Sequence, residues 1–207
     1  LLLDLDDTLI DRSAALRAWL RRKAGVGLGD ADGLLRLDGE SGGDLAMLSL
    51  ELLRLRPGLA GDPLALGERI RRELPGFIAR DEAVQRTLQT LQRAGVPLVL
   101  VSNGGGETQR AKLAAAGLDP QTFAAVLISG EVGLAKPEPA LFRLALARLG
   151  TPAEATVMIG DSLHEDIAGA EAVGVAGCWI RRGRPLPAPA PRWAEDFSAA
   201  VAGLGWA

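Results

Sequence analysis

From Asp81 onward the chain alternates helical stretches with short apolar runs, and no other feature constrains its fold as strongly. Strands that follow one another through helices need crossover connections, and crossovers build a parallel sheet with helices on its faces. The expected helices are Asp81 to Ala94, Glu107 to Ala116, Pro137 to Leu149 and Leu163 to Val173. The expected strands between and after them are Pro97 to Val101, Ala124 to Ser129, Thr156 to Ile159 and Ala176 to Ile180. Gly95, Gly117, Gly150 and Gly174 each stand just past a helix, where a left-handed residue can close the last turn. After Ile180, the proline-rich run Pro185 to Pro191 reads as a stiff connector, and Phe197 to Leu204 as a short closing helix.

The N-terminal run Leu1-Leu2-Leu3-Asp4-Leu5-Asp6-Asp7 supplies one more strand, apolar until it ends in carboxylates. Residues two apart on an extended chain share a face, so Asp4 and Asp6 are expected to project together from one rigid element. Between it and Asp81 the pattern is helical throughout. Arg12 to Lys23 is amphipathic, Leu45, Leu48, Leu52 and Leu55 recur at helical spacing after the capping residue Asp44, and Asp62-Pro63 opens a helix reaching Leu74. Gly25 to Gly33 reads as a glycine-rich break. The expected organisation is therefore an α/β domain of residues 1–10 and 81–207, interrupted by an all-helical insert of residues 11–80.

A net charge of −3 argues against a nucleic-acid polymer as partner. No apolar run approaches the ~20 residues of a membrane span, so no membrane partner is expected. One cysteine, Cys178, excludes an internal disulfide framework and fits a reducing cytoplasm, with the thiol read as a small buried hydrophobe. The chain does not begin with Met, and its first strand can begin earlier than Leu1 in a longer protein. The insert carries +2 and the remainder −5, a mildly basic bias that suits an anionic substrate and equally suits solvated helix faces.

Four strand ends carry polar groups: Asp4 and Asp6; Ser102 and Asn103; the loop reaching Lys136; and Asp161 with Asp166. In open α/β sheets, ligands bind beyond the carboxyl ends of the strands. Each residue alone has an ordinary structural role to offer, Asp4 as a turn residue, Ser102 and Asp161 as helix caps, Lys136 as a solvated charge. Taken together and in this order, Asp4-Leu5-Asp6-Asp7-Thr8, Ser102-Asn103-Gly104, Lys136-Pro137 and Gly160-Asp161-Ser162-Leu163-His164-Glu165-Asp166 resemble the four motifs of the haloacid dehalogenase (HAD) superfamily, in its helical-cap phosphatase branch.

The resemblance implies a Rossmann-like parallel sheet of strand order 3-2-1-4-5 with residues 11–80 as an inserted helical cap. It implies that Asp4 is a nucleophile attacking phosphorus and that Asp6 is the proton donor and acceptor. It also implies that Lys136 neutralises Asp4 and the phosphoryl oxygens, with Ser102 and Asn103 helping to bind phosphate. Mg²⁺ is the implied cofactor, held by Asp4, Asp6 through its carbonyl, and Asp161, with Asp166 close by. Thr8 is expected to steady the first loop. An aspartate two residues after the nucleophile points to phosphate-ester hydrolysis rather than dehalogenation. The substrate class is then a small phosphorylated metabolite such as a nucleotide or sugar phosphate, and the chain a monomer or weak homodimer. A phosphomutase on the same scaffold and a non-catalytic binding protein are the alternatives. Arg17, Trp19, Arg21 and Met47 could contact a leaving group, although Trp19 and Met47 also read as core residues. His164 reads as a surface or site-edge residue, and Gly104 to Gly106 as either a phosphate cradle or a flexible turn.

Overall fold

The leucines at the start of the chain become the centre of the sheet. In the computed structural model, which describes residues 1–59 and 61–205, β1 (Leu2–Leu3) is fully buried and pairs in parallel on both sides. The Asp4 amide extends this ladder by one bond, donating to the Ile159 carbonyl at 3.0 Å. The strand then stops: the amides of Thr8, Leu9 and Ile10 all turn back onto the Leu5 carbonyl. Asp4 and Asp6 both lie past β1, Asp6 as an isolated parallel bridge to Ile10 just before the turn at residues 7–9. Asp7, at φ 55°, supplies the left-handed step the turn needs, a conformation aspartate tolerates.

Next comes a helical unit, residues 11–79, formed by α1 (Arg12–Lys23), α2 (Leu28–Glu40), α3 (Leu45–Leu55) and α4 (Pro63–Glu73). Its interior is built from one face of each helix: Leu16, Trp19 and Leu20 of α1, Ala31 and Leu34 of α2, Leu48 and Leu52 of α3, and Leu66 and Ile70 of α4. Asp11, Asp44 and Asp62 cap α1, α3 and α4 through their carboxylates, satisfying amides that a helix start leaves unpaired. The supposed break over Gly25 to Gly33 is in fact the approach to α2 and its first half. Glycine disfavours helix, but burial of Ala31 and Leu34 and the buried Arg12–Asp38 ion pair outweigh that preference. Trp19 is buried and its indole donates to Glu73 at 2.9 Å, whereas Met47, read as core, is 47% exposed on α3. Arg17 pairs with Asp32, and Arg21 is exposed.

The second unit comprises residues 1–10 and 80–207. It continues through α5 (Glu82–Arg93), β2 (Val99–Ser102), α6 (Gly106–Ala116), β3 (Ala125–Ile128), α7 (Ser129–Val132), α8 (Pro139–Leu149) and β4 (Val157–Gly160). A π-helical turn (Leu163–Ala168) then runs into α9 (Gly169–Glu171), followed by β5 (Ala176–Ile180), β6 (Trp193–Ala194) and α10 (Phe197–Gly203). All pairs in the sheet are parallel, in the order β3-β2-β1-β4-β5-β6. The α/β class and the 3-2-1-4-5 order are as expected, with one strand added: β6 joins the edge of β5, where Trp193 and Ala194 pair with Trp179 and Ile180. Two residues between arginines and prolines carry no periodicity from which a strand could be read. On one sheet face Leu2, Val101, Leu127 and Met158 pack with Leu141, Phe142 and Ala145 of α8 and Ala170 of α9, placing the carboxyl ends of β1, β2 and β4 side by side.

Candidate active site

Asp4 stands where the central strand ends and is buried. Its Oδ1 accepts a hydrogen bond from Lys136 Nζ at 2.6 Å, and the same ammonium donates to Asp166 Oδ1 at 2.6 Å. The other Asp4 oxygen, Oδ2, is buried with no hydrogen-bond partner. Lys136 reaches this position because Asn103, just past β2, grips its backbone from both sides: the Lys136 amide donates to Asn103 Oδ1 at 2.8 Å, and Asn103 Nδ2 donates to the Lys136 carbonyl at 2.9 Å. The Asn103 side chain is thus engaged in orienting Lys136.

The π-helical turn after β4 supplies Asp166. The amides of both Asp166 and Ile167 donate to the Ser162 carbonyl, the second being the wide bond that defines such a turn, and a straight α-helix was expected here. The fully buried Asp166 carboxylate also accepts from the Ser162 amide at 2.9 Å. Gly160 allows this approach, since a Cβ there would lie 2.3 Å from the Asp166 carboxyl group. Carboxylate oxygens of Asp4, Asp161 and Asp166 come within 4.8 Å of one another. Asp161 meets Arg184, whose Nη1 donates to Asp161 Oδ2 at 3.1 Å and whose Nη2 donates to the Asp161 carbonyl at 2.7 Å. Arg184 also lies over the Trp179 ring.

Burial, with nearby charge, shifts the protonation of Asp4 and Asp161. Burial, opposed by Lys136 and reinforced by Asp166 and Asp161, pushes Asp4 well above the usual carboxylate range. Asp161 is pushed up to about 7, by burial first and then by the charges of Asp166 and Asp7. Burial works against the Lys136 ammonium, but the charges of Asp166 and Asp4 outweigh it and keep the lysine protonated far above its ordinary range.

Asp6 faces a separate group. Its Oδ2 accepts from Lys112 Nζ at 2.6 Å and from Gln109 Nε2 at 3.0 Å, and Gln109 Nε2 also donates to the buried Ser102 hydroxyl at 2.6 Å. Asp6 is not among the acids whose side chains cluster with Asp4. Lys112, Gln109 and Arg184 were absent from the residues expected at this site. Gln109, Lys112, Leu113 and Ala116 form the buried face of α6, so the available signal was a polar pair in the inward register of a helix. Arg184 gave no such signal. Thr8 is buried, with a hydroxyl that has no hydrogen-bond partner. His164 is exposed. The Gly104 amide is engaged by the Ser129 hydroxyl, and a Cβ at Gly130 would lie 2.8 Å from the Gly104 carbonyl, so Gly130 allows the two backbones to approach closely.

A family model for haloacid dehalogenase-like hydrolases matches residues 1–174. The chain belongs to this family. It is 46% identical over 96 residues to a phosphoserine phosphatase of Thermus thermophilus, covering 46% of this chain and 38% of that protein. It is 40% identical over 115 residues to a ribulose-1,5-bisphosphate 5-phosphatase of Halopiger xanaduensis, covering 56% and 48%. The HAD chain thus matches less than half the length of these two curated relatives. Among solved structures, the HAD hydrolase YfnB of Bacillus subtilis, bound to magnesium, is similar over 98% of this chain and 96% of its own, with a TM-score of 0.77 and 26% identity.

Proposed function

We propose that the protein is a Mg²⁺-dependent phosphatase that hydrolyses a small phosphate monoester through an aspartyl phosphate on Asp4. The observation that carries this reading is the setting of Asp4: a buried carboxylate at a strand end, one oxygen fixed by Lys136 and the other without a hydrogen-bond partner, beside two further acids. The three acids fit a divalent cation, because an all-oxygen donor set suits Mg²⁺ and the lone Asp4 Oδ2 is the kind of buried atom a cation would satisfy. Asp4, Asp161 and Asp166 would hold it, and the Asp6 carbonyl is a fourth candidate. When bound, the cation supplies countercharge for the clustered carboxylates and for the dianionic phosphate.

The chain's own residues then divide the work. An Asp4 oxygen attacks phosphorus, forming the acyl phosphate as the bond to the ester oxygen breaks, and Asp6 gives its proton to the departing alcohol. Asp6 next takes a proton from water as the water oxygen attacks phosphorus, and the bond from phosphorus to Asp4 breaks, releasing phosphate. Lys136 counters charge on Asp4 and on the phosphoryl oxygens in both steps. Ser102 donates a hydrogen bond to those oxygens. The helical unit 11–79 takes the part of the cap that selects the leaving group. The relatives named for phosphoserine and ribulose bisphosphate support small phosphorylated metabolites as the substrate class. The lone, buried Cys178 fits a cytoplasmic setting.

The test is hydrolysis of p-nitrophenyl phosphate and a panel of sugar, nucleotide and hydroxy-acid phosphates in Mg²⁺. Asp4→Asn should abolish turnover and the acid-stable labelling of protein by ³²P-phosphate ester; undiminished turnover in that variant refutes the nucleophile.

A further inference from the structure

We propose that Gln109 and Lys112 are positioning residues for Asp6, holding its carboxylate and joining it to Ser102 so that proton transfer and phosphate binding are set by one rigid helix. The inference rests on the reading of Asp6 as the acid and base of the reaction. Its geometric basis is separate from the Asp4 cluster. The Lys112 side chain is only 6% exposed, and a lysine ammonium is rarely buried unless a partner requires it. That partner is Asp6 Oδ2, at 2.6 Å and more than 100 residues away in the chain. Gln109 lies three residues before Lys112 on the same face of α6, is buried, and spends both hydrogens of Nε2, one on Asp6 Oδ2 and one on Ser102 Oγ.

Asp6 lies past the end of β1, bridged only to Ile10, and that backbone setting alone does not fix its side-chain rotamer. Two donors converging on one oxygen from a single helix remove that freedom. A proton donor must lie within hydrogen-bond reach of the leaving oxygen, and displacement by about 1 Å can cost ~100-fold in rate. The Gln109 bridge adds a second consequence. The hydroxyl assigned to phosphate and the carboxylate assigned to the leaving group share one support, so a shift of α6 moves both.

A purely structural ion pair would predict lower stability with unchanged chemistry per folded molecule. A positioning role predicts a change in how rate depends on the leaving group. Phenyl phosphate releases a phenol whose pKa is about 10 and needs the proton, whereas 2,4-dinitrophenyl phosphate expels its leaving group without one. The experiment measures kcat/KM for both esters with the full chain in Mg²⁺, for the wild type and the Asp4→Asn, Asp6→Asn, Lys112→Met and Gln109→Leu variants. The ratio of the two constants is independent of the folded fraction, so poor folding of a variant does not obscure it. The expected result is a fall of about tenfold or more in the phenyl-to-dinitrophenyl ratio for Lys112→Met, a smaller fall for Gln109→Leu, and the largest for Asp6→Asn. A ratio within about twofold of wild type in Lys112→Met, while Asp6→Asn shifts it, overturns the positioning role and leaves the phosphatase reading standing. An unshifted ratio in Asp6→Asn overturns both the role of Asp6 and the inference. Turnover by Asp4→Asn defeats the underlying mechanism instead.

Discussion

Replacing Lys136 by methionine removes one cation and leaves two buried carboxylates facing each other. Lys136 Nζ sits 2.6 Å from both Asp4 Oδ1 and Asp166 Oδ1, and all three side chains are almost wholly buried. At an effective dielectric constant near 20, each contact has a gross Coulomb energy of about 6 kcal/mol, most of it offset by the desolvation of the charges. What the variant loses is better bounded by the cost of removing one partner from a buried pair, about 3–5 kcal/mol. For a chain of this size that corresponds to a fall in Tm of very roughly 6–20 °C. The deficit also carries a pH signature. Without Lys136, the folded-state pKa of Asp4, already raised, loses the charge that opposed the rise. A carboxyl whose folded pKa exceeds its unfolded value binds more protons when folded, so its contribution is present at low pH and is lost as pH rises through the folded pKa. Lys136→Met should therefore approach wild-type stability near pH 4.5 and fall furthest behind at pH 8, and millimolar Mg²⁺ should recover part of the loss. The assay is thermal melting by circular dichroism in EDTA across that range, repeated with Mg²⁺, taking the two units as separate transitions where they resolve. A variant that melts with the wild type at pH 8, or whose deficit grows on acidification, refutes the reasoning.

Two further outcomes follow from the same site. Asp161, raised to about 7, should make the cation-free protein lose stability as pH rises from about 4 through 7. The full shift corresponds to at most about 4 kcal/mol, and less in practice because 22% of this side chain still meets solvent. Urea titrations at pH 5 and pH 8 in EDTA should show this slope, and saturating Mg²⁺ should flatten it. Asn103→Ala removes both hydrogen bonds that grip the Lys136 backbone, at 2.8 and 2.9 Å. It should cost about 1–3 kcal/mol and lower kcat by about 10–100-fold with a smaller change in KM, which steady-state kinetics on p-nitrophenyl phosphate would reveal.

The parts of the fold legible in the sequence were those with strong local grammar. Each central strand is an apolar run bounded by glycine or a polar turn, and such a run has few other ways to be buried. Helix α2 was hidden because Gly29, Gly33 and Gly39 lower its local propensity, while the features that stabilise it, Ala31, Leu34 and the Arg12–Asp38 pair, act through neighbours. The π-helical turn was hidden for a related reason. Its extra residue leaves composition unchanged and shows only in the hydrogen bonds converging on the Ser162 carbonyl. At the site, Asp4 and Asp161 stood at strand ends, and Lys136 and Asp166 in the segments that follow β3 and β4, where they could be picked out. Gln109 and Lys112 stood on a helix, where the register of α6 alone marked them as inward.

The missed residues complete a charge balance that the expected ones leave open. Asp4 and Asp166 share Lys136, Asp6 has Lys112, and Asp161 has Arg184. Fully ionised, these four carboxylates and three cations sum to −1, and a bound phosphate dianion would carry the site to −3. Such an excess on acids at one sheet edge is costly where they are buried, and two responses are open to it: protons on the acids, or a divalent cation among them. The raised values of Asp4 and Asp161 are the first response. The proposed attack by an ionised Asp4 would call for the second. Lys112 and Arg184 would thereby limit how much countercharge a bound cation must bring, since without them the same acids and substrate would stand at −5 and one divalent ion would leave them at −3. On the proposed mechanism, one Mg²⁺ would bring the site back to −1 because α6 and the segment after β5 each deliver a cation to an acid that Lys136 does not reach.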